Sequence, residues 1–204
     1  MNLPFFASFI AFCLIIYLNI KRQNKSAKQR EKNFWEREHQ ANSIRKKPLD
    51  NLKYIHVPLE TFPTHLMRED ETVVECIGIM ESLTAQKIVN LTGYSNTDLK
   101  LEYGTANITV LTEYDQNYTL FVRTLQKWAD TLIAGGYTKD ATVLLEYAVS
   151  TNTDISRTYY QLADYYVSQG DLSKVRGLID AASNLHSANR DTIIKHLKEQ
   201  CPGI

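Results

Sequence analysis

Residues 122–136 read VRTLQKWADTLIAGG and residues 156–170 read SRTYYQLADYYVSQG, two stretches offset by 34 positions. At that offset Ala129 falls on Ala163, Gly136 on Gly170 and, further along, Ala148 on Ala182. Leu125 meets Tyr159, Trp128 meets Leu162, Leu132 meets Tyr166, Ala141 meets Val175 and Leu145 meets Ile179. Small residues recur where two helices must approach closely, and larger apolar ones recur between them. Such a period predicts a repeated helix hairpin, and so an all-α fold.

Both units resemble the tetratricopeptide repeat. That family places a small residue at the eighth position of its first helix, a glycine at the turn, and two further small residues on its second helix. Here these are Ala129, Gly136, Ala141 and Ala148, then Ala163, Gly170, Val175 and Ala182. Both units lack the terminal proline of the pattern, and Val175 replaces an alanine. The resemblance implies a helical-hairpin (tetratricopeptide-like) domain over residues 122–204. In it Ile193, Lys195, His196 and Leu197 carry the phase into a capping helix of the kind a solenoid end needs. It also implies a concave face that grips a protein partner. On that face stand Arg123, Gln126, Lys127 and Asp130, then Arg157, Tyr160, Gln161 and Asp164, with Lys195 and Lys198 following from the cap. The family's carboxylate-binding variant has asparagine where this chain has Asp130 and Asp164, so the resemblance does not extend to gripping a free C-terminus, which an aspartate would repel.

Upstream, residues 67–121 read as a helical region. Val73, Val74, Ile77, Met80, Leu83, Ile88 and Leu91 follow a helical spacing that predicts one helix reaching to Gly93 as its C-cap. Ser95, Asn96, Thr97 and Asp98 then offer N-caps for a helix or turn through Leu99 and Leu101. Residues 48–66 carry Pro48, Pro58 and Pro63 and predict an extended linker. Leu52, Tyr54, Ile55, Leu59 and Phe62 make it too apolar to hang free.

Net charge is zero, but it is unevenly distributed. Residues 21–47 hold ten Lys/Arg against three Glu, a net +7, and the chain beyond Lys47 carries −7. This basic juxtamembrane helix follows LPFFASFIAFCLIIYLNI, Leu3 to Ile20, eighteen residues without a charge. At about 1.5 Å per residue the run spans roughly 27 Å, near the roughly 30 Å of a hydrocarbon core, and predicts an N-terminal transmembrane anchor over residues 1–20. Lys21-Arg22 follows it instead of a small-residue cleavage site, which argues against a removed signal peptide. Lys21, Arg22, Lys25 and Lys28 are expected at the membrane surface, meeting anionic headgroups, with Phe34 and Trp35 at the interface. By the positive-inside rule this single-pass chain has its N-terminus outside and its domain in the cytoplasm. The stretches FWEREHQANSIRKKPLDNLKYIHVPLETFP and NLTGYSNTDLKLEYG also resemble single-pass membrane-anchored proteins of Clostridia-type bacteria.

Cys13, Cys76 and Cys201 lack the paired spacing of a disulfide framework, as suits a reducing compartment. Against it stand Asn90-Leu-Thr, Asn107-Ile-Thr and Asn117-Tyr-Thr, glycosylation tripeptides that matter only in a lumenal domain. An extracytoplasmic binding protein on the same anchor is therefore the alternative.

The residue types that carry chemistry do not converge. His39, His56, His65, His186 and His196 are scattered, with no metal-ligand spacing. No glycine-rich phosphate loop or G-x-S-x-G elbow occurs, and neither Cys76 nor Cys201 has a basic neighbour in sequence to activate it. The expectation is a non-enzymatic scaffold without cofactor or metal. Nucleic acid is not expected as a partner, since the acidic bulk repels phosphate.

Overall fold

We describe the chain from residue 3 to residue 200 in a computed structural model, with side chains from Phe9 and from residue 11 onward. Cys201 lies outside the described residues. The main elements are helical: α1 Leu3–Asn42, α2 Glu71–Leu83, α3 Asn96–Tyr103, α4 Ile108–Ala134, α5 Thr138–Ser150, α6 Ser156–Ser168, α7 Leu172–Ser183 and α8 Arg190–Gln200. One small antiparallel pair, β1 Tyr54–Ile55 with β2 Ile88–Val89, joins them. Two compact units result, residues 1–47 with 95–108 and residues 48–94 with 109–204.

In the first unit, α1 runs without interruption from the apolar run into the basic segment. Its side chains from residue 11 to residue 37 are all exposed. Among the described residues no helix is long and apolar enough to cross a membrane. The expected span, Leu3 to Ile20, lies partly outside the described side chains. At the far end α3 folds back on α1. Ser95 caps α3 in a capping box, its hydroxyl accepting from Asp98 N–H while the Asp98 carboxylate accepts from Ser95 N–H. Asp98 also accepts from Arg37 at 2.5 Å, and Glu38 receives Lys100 and the Thr97 hydroxyl. Ala41 and Leu99 are buried beneath these pairs.

Gly104 ends α3 at φ +89°, a conformation that L side chains rarely adopt, and a Cβ there would stand 2.2 Å from the Arg45 carbonyl oxygen. The segment after α1 can therefore lie against it. Lys47 N–H donates to Tyr103 O, and the Asn107 side-chain amide donates to Lys47 O and Tyr103 O.

The second unit holds the larger core. Val73, Cys76, Met80 and Leu83 line one face of α2, at the three- and four-residue steps of a helix. The helix starts where Asp70 accepts from Val73 N–H and stops at Thr84. Here the expectation of one helix to Gly93 fails: Ile88 and Val89 form β2 against β1 of the presumed linker. The linker packs in turn. Phe62 is buried edge-on to Trp128 and Tyr147, and Tyr147 OH donates to His56 O.

α4 runs unbroken across position 122, where the first repeat was expected to open. Of the residues matched at an offset of 34, most are buried alike, though Leu145 is buried and Ile179 only half-buried. Ala129 and Ala163, Ala141 and Val175, and Ala148 and Ala182 are buried, as are Leu125 with Tyr159 and Trp128 with Leu162. Each such large side chain contributes roughly 1.5–3 kcal/mol by leaving water.

Both turns close in the same way. Gly136 at φ +87° donates to Ile133 O and Tyr137 N–H to Leu132 O; Gly170 at φ +71° donates to Val167 O and Asp171 N–H to Tyr166 O. This is the helix-ending pattern that favours glycine, because the capping residue must be left-handed. Ile193 and Leu197 of α8 are buried.

Candidate functional site

α4, α6 and α8 carry the residues expected on a partner-binding face. The structure joins several of them into one hydrogen-bonded network. Asp130 Oδ1 accepts from Gln126 Nε2 at 3.0 Å, Gln161 Nε2 at 2.6 Å and Arg157 Nε at 2.9 Å. Gln126 Nε2 also donates to Gln161 Oε1, and the buried Thr158 hydroxyl donates to Gln126 Oε1. Asp130 is thus the centre of a polar seam between α4 and α6, and its Oδ1 is committed to the fold.

Other expected contact residues are similarly engaged. Lys127 pairs with Glu75 of α2 at 2.6 Å, which raises its pKa. Tyr160 stacks on His196 of α8, ring centres 3.8 Å apart, and Asp164 accepts from Gln200. Lys195 pairs with Glu199 along α8. Lys195 and Lys198 line a depression of about 440 Å³ together with Asp191, Ile194 and Glu199, all from α8 itself. Among the described residues Arg123 has no ion-pair partner, and it is exposed. Arg123 and Arg157, although 34 positions apart and so matched in the sequence, have different roles: Arg157 closes the seam and Arg123 faces solvent.

Thr158, Glu75, His196 and Gln200 were not expected as contact-makers. His196 alone carried a sequence clue, through its place in the phase of α8.

Cys76 departs from expectation in one respect. No basic residue neighbours it in sequence, yet α4 brings Lys127 close enough to favour its thiolate. Burial prevails and pushes the thiol up to about 11, so it stays protonated at neutral pH. Among the described residues no group of three His, Cys, Asp or Glu side chains is placed to hold a metal ion.

On α1, Lys21, Arg22, Lys25 and Lys28 are exposed, and none has an acidic partner among the described residues. Lys32 differs: it pairs with Glu36 at 3.6 Å.

Comparison with known proteins returned no matching family model, no matching curated protein and no matching solved structure.

Proposed function

We propose that this chain is a membrane-tethered protein-interaction module without a catalytic step, anchored through Leu3 to Ile20, with its helical hairpins of tetratricopeptide-like kind on the cytoplasmic side. One observation carries the tether. Phe9, Phe12, Leu14, Ile15, Ile16, Tyr17, Leu18 and Ile20 point outward all round a single helix, each between 41% and 60% exposed. A helix that is apolar on every side has no stable place in water, and lipid is the medium that removes the cost. Its length of roughly 27 Å leaves no excess to be absorbed by tilting. On this reading the basic collar begins in the headgroup layer. Phe34 stands about 21 Å past Ile20 along the axis, which on this reading lies beyond the headgroup layer.

Asn107 bears on the compartment. It is fully buried and spends its side-chain amide on Lys47 O and Tyr103 O, so its tripeptide cannot carry a glycan in the folded unit. The Asn107 tripeptide therefore lends no support to a glycosylating lumen.

The partner is a protein segment that meets the α4, α6 and α8 face at Arg123 and at Asp164. Asp164 is exposed and, among the described residues, accepts only from Gln200 at Oδ1, so a peptide presenting amides or basic groups fits this face better than one presenting a carboxylate. Two experiments test the reading. The chain should stay in the pellet after alkaline extraction of membranes and resist protease added to intact cells; release by alkali refutes the anchor, and digestion from outside places the domain on the other side. Crosslinking in native membranes should identify a partner that Arg123→Glu with Asp164→Ala loses; undiminished capture by that variant refutes the face.

A further inference from the structure

Helix α1 advances about 1.5 Å and turns about 100° per residue. Lys21, Lys25 and Lys28 therefore fall within an arc of about 60°, at successive rises of about 6 and 4.5 Å. Arg37, Glu38 and Ala41, which meet α3, centre about 160° away on the same helix. The lysine face is thus left clear by its own unit. It is also left unneutralised. Of the segment's three glutamates, Glu36 pairs with Lys32 and Glu38 with Lys100, and Glu31, three residues past Lys28 and about 60° round from it, makes no ion pair with it. Lys32 lies on the same face but is paired with Glu36; off the face stand Arg22, about 100° round from Lys21, and Arg30, on the opposite side, where it is occupied with the Ser26 hydroxyl.

We propose that Lys21, Lys25 and Lys28 form a one-sided site for the headgroup of a membrane lipid that carries two phosphates. The proposal rests on the membrane reading above and goes beyond a diffuse attraction to anionic lipid. Singly charged lipids surround an anchor on every side, so a diffuse attraction has no use for sidedness. A file of three ammonium groups over about 10.5 Å does have one. Two phosphates on one molecule reach it with the second already tethered near its ammonium, whereas two separate lipids must each be ordered. Lysine suits the task as a point charge on a flexible stem, and Lys28, about 12 Å past Ile20, bends that stem toward the headgroups.

The test uses the full chain in zwitterionic vesicles. These are doped either with a two-phosphate lipid or with twice the amount of a one-phosphate lipid, so that total charge is equal. Flotation with purely zwitterionic vesicles comes first; a chain that stays at the bottom refutes the anchor and this site with it. For a chain that floats, native mass spectrometry counts the lipids carried out of the bilayer. One two-phosphate lipid per chain is expected, favoured by about tenfold over the one-phosphate lipid, as expected for a tethered second contact.

Lys21→Gln with Lys25→Gln and Lys28→Gln should abolish that preference while flotation persists. Arg30→Gln with Arg45→Gln and Lys46→Gln, which removes the same charge elsewhere, should keep it. Equal retention of both lipids, an equal effect of the two variants, or capture of a polyglutamate peptide in preference to the two-phosphate lipid would each overturn the site.

Discussion

Asp130 and Arg123 lie two turns apart on α4 and behave oppositely. Replacing Asp130 with alanine leaves Gln126, Gln161 and Arg157 without their shared acceptor, and should lower stability by about 1–3 kcal/mol in a denaturant melt. Replacing Arg123 should leave the melt within about 0.5 kcal/mol and weaken only partner capture. The difference was not legible in the sequence, where both are charged residues on one predicted face. It depends on α4 and α6 approaching closely enough for three donors to reach one oxygen.

Gly104→Ala should be more damaging to the first unit. It combines a left-handed φ with a Cβ on top of the Arg45 carbonyl, and at roughly 1–3 kcal/mol for the conformation alone it should increase hydrogen exchange throughout α3.

Acid acts on the same place. Asp98 is held down to about 2, first by the Ser95 hydroxyl, then by Ser95 N–H and Arg37; Glu38 is lowered by Lys100 and Thr97. Both carboxylates thus stabilise the folded unit above their unfolded values of about 4, and that contribution is lost as pH falls from about 4 toward 2. Exchange protection of α3 measured across that interval should decline before that of α6; simultaneous loss would contradict it.

Among the elements, those with long apolar periods could be read directly. The helices α4 to α7 are an example: their apolar spacing is helical, and Gly136 and Gly170 mark their turns independently of anything distant. α2 is the contrary case. Its apolar residues keep steps of three and four as far as Leu83, but the next, Ile88, comes five later, a step that leaves the helix face. The β-branched pair Ile88-Val89 finds Tyr54 and Ile55 across some thirty residues, and no local pattern announces such a partner. Phe62 shows what the presumed linker contributes. Phe62→Ala should cost about 3–5 kcal/mol by opening a cavity against Trp128 and Tyr147. Tyr147→Phe, which loses the bond to His56 O but keeps the ring, should cost about 1 kcal/mol. Urea melts of the two variants give the comparison.

For the whole molecule, the sequence sets an apolar run beside a basic segment and an acidic remainder, and the fold joins the first two in one unbroken helix. A chain lacking residues 3–20 should be released from the membrane fraction with α4 to α8 intact by hydrogen exchange. Aggregation of that form with loss of protection in α4 would show that the apolar run belongs to a core instead of a bilayer.

Because α1 does not break between Ile20 and Asn42, it acts as a shaft. It sets a standoff of about 33 Å from the end of the apolar run and transmits rotation as well as height. A single residue inserted between Lys32 and Asn33 would turn α3 by about 100° relative to the lysine face, while seven would nearly restore the bearing and add about 10 Å of reach. Distances between labels at position 25 and on α3 should change with the one-residue insertion, and with the seven-residue insertion should differ only by the added length.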